Sequence, residues 1–136
     1  MASMNINLAG KTLAAANVEY TVGLQLSDDY FIRIESPFEI VSPGSVIKLS
    51  PEDDAAPNFE PLIKLVGQRI IEAEISDKGT LEVHFENSVS LSVEADPEYE
   101  AWTVTGPAGL IIVCLAGGEL SVWNAKIEGR DNTPRP

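Results

Sequence analysis

The chain has one cysteine, one histidine, and only nine lysines and arginines against 21 aspartates and glutamates in its 136 residues. Each scarcity excludes something. A lone Cys114 makes no internal disulfide and no paired-cysteine zinc knuckle. His84 is the only histidine and has no cysteine placed beside it as a partner, so it is expected as an exposed strand residue and not as a metal ligand or catalytic base. Cys114 lies in the most apolar run and is expected as a small core residue, not a reactive thiol. There is no Gly-rich phosphate loop leading into a helix and no Gly-x-Ser-x-Gly elbow, so no catalytic residue and no cofactor is assigned. The longest apolar run, Leu110 to Ala116, has the length of a buried strand and falls short of the roughly 18 residues that cross a bilayer. The start MASMNINLAG lacks the basic and apolar regions of a signal peptide, and a cytoplasmic location is expected.

The shortage of positive charge leaves a formal net charge of −12, which repels nucleic acid and anionic membranes and makes a basic protein the natural partner. The deficit is local as well. From Gly79 to Ala125 there is no Lys or Arg, while Glu82, Glu86, Glu94, Asp96, Glu98, Glu100 and Glu119 accumulate. Within that segment Glu94 to Trp102 sets acids beside Tyr99 and Trp102, a mixture suited to docking a basic surface. The candidate interface is therefore Glu94, Asp96, Glu98, Tyr99, Glu100 and Trp102. The plainer alternative makes Tyr99 and Trp102 anchors of a loop that its acids keep soluble.

What the chain does have is β-pattern, and it has it twice. With Gly10 set on Gly67, Ala14, Ala16 and Val18 fall on Ile71, Ala73 and Ile75; after a two-residue gap, Leu24, Leu26, Ile32, Ile34 and Glu35 fall on Val83, Phe85, Leu91, Val93 and Glu94. Leu8–Ile40 and Leu65–Trp102 are thus two copies of an antiparallel meander. Ala14, Ala16, Val18 and Tyr20 are expected on one face, as are Ile71, Ala73 and Ile75. Ser27-Asp28-Asp29, Asp77-Lys78-Gly79 and Asn87-Ser88 supply turns, and Gly117-Gly118 a two-residue hairpin turn. Helical signals are confined to the link. Ser50-Pro51 with acidic Glu52, Asp53 and Asp54 starts one turn, and Phe59, Leu62, Ile63 and Val66 follow helical spacing up to Gly67.

A three-stranded meander leaves one face unburied, so the copies are expected to cover each other. The predicted fold is all-β with minor short helices. It is a duplicated antiparallel meander forming a sandwich or a partly open barrel, closed by a C-terminal hairpin over 110–123, in one domain over 1–127 with a disordered tail over 128–136. Symmetry between the copies also singles out Glu35 and Glu94. If the copies bring them together, they make a carboxylate pair in a pocket between the repeats; otherwise they are solvated strand-end charges.

Arg33-Ile34-Glu35-Ser36-Pro37-Phe38, Leu81-Glu82-Val83-His84-Phe85, Tyr99-Glu100-Ala101-Trp102 and Gly117-Gly118-Glu119-Leu120-Ser121-Val122-Trp123 together resemble a family of small all-β proteins of unknown function found mainly in actinobacteria. The resemblance spans nearly the whole chain and implies no substrate, cofactor or catalytic residue. Asn87-Ser88 stands where such relatives usually have an Asp-Gly-type turn. Small acidic β-proteins of this kind look like immunity proteins that neutralise toxins. The expected function is accordingly a non-enzymatic module that blocks a basic partner, a toxin in the sharpest form. The alternatives are a small-molecule-binding or hydrolytic domain using Glu35 and Glu94, and a structural protein that dimerises through free sheet edges.

Overall fold

Both meanders form where the alternation predicts them. The computed structural model describes residues 3–127 and 130–132. After β1 (Met4–Asn5), the first copy supplies β2 (Leu13–Val18), β3 (Val22–Leu26) and β4 (Phe31–Ile34), then β5 (Phe38–Ser42) and β6 (Ser45–Leu49). The second copy supplies β7 (Ile70–Ile75), β8 (Leu81–Phe85) and β9 (Ser90–Val93), then β10 (Trp102–Thr105) and β11 (Ile111–Cys114), and β12 (Leu120–Trp123) follows. The tail over 128–136 falls outside the described residues except at β14 (Arg130–Asn132), whose backbone pairs antiparallel with β13 (Ala125–Ile127).

The strands make two six-stranded antiparallel sheets, ordered β1-β7-β8-β9-β5-β6 and β12-β11-β10-β4-β3-β2. Both sheets keep free edges, so the architecture is a sandwich and not a barrel. The order reveals an exchange. Each meander ends by sending its next hairpin into the opposite sheet, where β10 pairs with β4 and β5 pairs with β9. The register of these pairs sets Phe38 in the place of Trp102, Ile40 in that of Val104 and Leu49 in that of Cys114. The duplication therefore runs to five strands per copy, well past Ile40 and Trp102.

The copies meet through reciprocal hydrogen bonds. Gly10 N–H donates to the Ile70 carbonyl and Gly67 N–H to the Leu13 carbonyl, both at 2.7 Å, around a Thr12–Arg69 bridge. Equivalent residues exchanging equivalent bonds is the signature of an approximate two-fold axis. The two-residue gap in the repeat lies in the first turn of each meander, Glu19–Thr21 in one and Ser76–Thr80 in the other.

The inner faces form one core, with Val22, Leu24, Ile32 and Ile34 across from Leu81, Val83, Leu91 and Val93. One face assignment needs correcting, in both copies alike. The ladders slip between Leu13 and Ala15 and between Ile70 and Glu72. A bulge at Ala14 and at Ile71 inserts one residue, so Leu13 and Ile70 turn inward and Ile71 is left 57% exposed. Tyr20 leaves the strand and stands 93% exposed at the turn. In the link, a 3-10 turn over Ala56–Phe59 leads into α1 (Glu60–Ile63). Phe59, Leu62 and Leu65 are buried there while Ile63 and Val66 stay exposed, because the helix ends before a full heptad. The last hairpin turns through three residues, Ala116–Gly118, and not two, with Leu115 N–H donating to the Glu119 carbonyl.

Candidate functional site

The exchange between sheets creates two crossovers, and the acidic stretch is one of them. The first is short, Glu35 to Pro37 between β4 and β5; the second runs from Glu94 to Ala101 between β9 and β10. Glu35 N–H donates to the Ala101 carbonyl at 2.8 Å and so holds the two side by side. The longer crossover is folded on itself by Asp96, whose Oδ1 accepts the Glu98 N–H at 2.8 Å and the Tyr99 N–H at 3.0 Å. Pro97 to Glu100 are pushed into solvent, and Tyr99 is 70% exposed.

Trp102 does not belong to that surface. It is 0% exposed, and its Nε1 donates to the Gly79 carbonyl at 2.9 Å, which makes it the anchor from which the loop projects.

Tyr99, Glu100 and Asp96 line one side of a groove of about 500 Å³. The other side comes from segments distant in sequence: Tyr20 and Thr21 of the β2–β3 turn, Glu35 to Pro37, and Ser50, Glu52 and Asp53 of the turn after β6. Asp53 is held by the Ser50 hydroxyl, which donates to its Oδ2 at 3.2 Å. Two exposed tyrosines thus stand with five carboxylates, and none of the lining residues is basic. Tyr20, Glu52 and Asp53 carry no sequence signal that ties them to Tyr99, since only the sheet order brings them there.

Glu94 lies elsewhere. It lines a smaller depression of about 180 Å³ with Glu39, Lys48 and Ser92, while Glu35 lines the large groove. Ser36, Pro37 and Asp96 form the wall common to both, so the two carboxylates occupy adjoining hollows. Ser36 Oγ in that wall is buried with no hydrogen-bond partner among the described residues.

The model of a Family of unknown function (DUF6188) matches residues 4–124. The chain belongs to this family. No curated protein and no solved structure matches it. The DUF6188 match spans β1 to β12 and so includes both crossovers and the whole groove. No helix of the described residues is long and apolar enough to cross a membrane.

Behind the groove, the DUF6188 domain has a tightly packed junction. The turn at Gly79 lies against the turn at Gly118, and Gly117 N–H donates to the Asp96 carbonyl at 2.8 Å, fixing the acidic crossover to the last hairpin. Cys114 is fully buried beneath, its thiol facing the Gly79 carbonyl at 3.4 Å. Burial pushes its pKa up, because the thiolate would lose its hydration. Native protein is therefore expected to resist a disulfide-exchange thiol reagent near pH 8 and to release one thiol equivalent only when unfolded; fast labelling of the native state would disprove this burial. A thiol that stays protonated when folded but ionises when unfolded favours the unfolded chain as pH rises above 9.0, so this contribution to stability is present below that pH and declines above it.

His84 is on the outer face of β8, half-buried, with Glu82 two residues away and Glu74 on β7 across the ladder. Sequence pattern places Glu82 beside it, but Glu74 arrives only through the strand register.

Proposed function

We propose that this domain is a non-enzymatic protein-binding module whose acidic, tyrosine-edged groove takes a basic segment of a partner, as an immunity protein covers the basic active site of a toxin. The observation that carries this reading is the lining of the groove: Glu35, Glu52, Asp53, Asp96 and Glu100 with Tyr20 and Tyr99 and no basic residue. Carboxylates of one sign in a concave site attract and orient lysine and arginine side chains, and exposed tyrosine rings offer contact area at small entropic cost. The chain's net charge of −12 extends the same attraction over a distance. Glu35 and Glu94 line adjoining hollows and not one shared pocket.

The test is capture of partners from the native host with the full chain, repeated at rising salt, with any partner then measured kinetically. Replacing Glu98 and Glu100 together by Lys is expected to slow association about tenfold or more at low salt and much less at high salt. Tyr99→Ala is expected to weaken affinity about tenfold or more, mainly through faster dissociation. A partner whose binding ignores salt and all three changes would overturn the groove as the interface.

A further inference from the structure

On the outer face of the first sheet, the ladder register gathers three ligand atoms that the groove does not use. Glu82 and His84 are two residues apart on β8 and share a face, and Glu74 stands directly opposite Glu82 on β7. His84 Nε2 lies 3.6 Å from Glu74 Oε2 and 3.5 Å from Glu82 Oε1, and the three donor atoms fall within 4.8 Å of one another. These separations are long for an N–H···O hydrogen bond, which prefers about 2.9 Å. The two histidine–carboxylate distances are close to the edge, about 3.4 Å, of a tetrahedron whose metal–ligand bonds are about 2.0–2.1 Å.

Charge points the same way. Like charges directly opposite on a ladder repel, and among the described residues Glu74 and Glu82 pair with no Lys or Arg, their shared neighbour being His84, which compensates them only when protonated. Ser3 Oγ donates to Glu74 Oε1 at 3.0 Å, leaving Oε2 as the oxygen turned toward His84, an outer contact that orients a ligand. The fold itself does not call for this grouping. At the corresponding positions of the first copy stand Asn17, Gly23 and Gln25, on strands paired in the same register with the same bulge.

We infer that Glu74, Glu82 and His84 form a binding site for a divalent cation of the zinc type. One imidazole nitrogen with two carboxylate oxygens is a borderline donor set that suits zinc better than magnesium or calcium, which prefer oxygen alone. Two carboxylates neutralise a dication, and the fourth tetrahedral position is left to water. The ion ties β7 to β8 across the ladder and relieves the repulsion between the two glutamates. None of the three residues lines a hollow of the surface described above, so the site acts as a staple that raises stability on binding.

The untagged full chain, stripped with a chelator, is titrated with cobalt(II) at neutral pH, and zinc is then used to displace it. One saturable equivalent with the visible absorption of tetrahedral cobalt, together with a higher Tm in zinc, is expected. His84→Ala and Glu74→Gln are each expected to weaken binding about tenfold or more, since even outer contacts to a ligand carry 10- to 100-fold effects. Glu60→Gln on the helical link is expected to leave it unchanged. Both site variants are read beside their metal-free Tm, so that a folding defect is distinguished from a lost ligand. Absence of saturable binding, or equal binding by the His84→Ala and parent proteins, overturns the assignment.

Discussion

Trp102→Ala is expected to cost about 3–5 kcal/mol of stability, as large aromatic truncations in cores do. Trp102 heads the fully buried side chains of the domain and starts β10, where it pairs with Ile34 across the line at which the two copies exchange strands. Its loss removes buried area and leaves the Gly79 carbonyl without its indole donor. A domain of this size has a total stability of about 5–15 kcal/mol, so the change consumes a large part of it. Urea unfolding of parent, Trp102→Ala and Trp102→Phe separates the terms. Phe keeps most of the packing and lacks the donor, so it is expected to lose about 1–3 kcal/mol. A loss under about 1 kcal/mol for the Ala variant would show that the acidic crossover is anchored by something else.

The second large effect is expected at Gly79. Its φ of +88° is a conformation that a side chain disfavours, and a Cβ built there meets the Gly118 carbonyl oxygen at 2.7 Å and Gly118 Cα at 2.8 Å. Both are backbone atoms of a turn that cannot swing aside as a flexible side chain does. Gly79→Ala is expected to lose roughly 2–4 kcal/mol, from backbone strain and overpacking together. Gly67→Ala is the comparison: its φ is +97° but nothing lies within 4 Å of the added carbon, so only the conformational part, about 1 kcal/mol, is expected. Equal losses at the two positions would mean that the turns at Gly79 and Gly118 are not in firm contact. Because Gly117 N–H holds the Asp96 carbonyl, the Gly79 change is also expected to weaken capture of a basic partner without touching any groove residue.

The repeat, its gap and most of its inward faces were legible from alternation, since a strand buried on one side writes its burial into every second residue. The face of β2 and β7 was not, because a bulge adds one residue that alternation cannot detect, and Ile71 as a hydrophobic residue gives no warning that it points outward. Asp96, Tyr99 and Glu100 are legible as a group because they are neighbours in sequence. Tyr20, Glu52 and Asp53 join them, and Glu74 joins His84, only through pairings between strands far apart in the chain, which leave no local mark. The same adjacency groups Trp102 with the surface acids, but the alternative of a core anchor holds for it, since a ring at the first residue of an inward-facing strand is held by the core.

The passage of β5 and β10 into opposite sheets also bears on how the chain reaches its native state. Neither sheet contains a five-stranded unit made by one copy alone, so the first half of the chain, once synthesised, has three strands on one side and two on the other with no ladder between them. The pairings that join the two copies within each sheet, β4 with β10 and β5 with β9, close loops of about fifty residues or more, an entropic cost met before any contact rewards it. Folding is therefore expected to be slow, and the groove, built where those two pairings begin, forms only once both halves of the chain have paired.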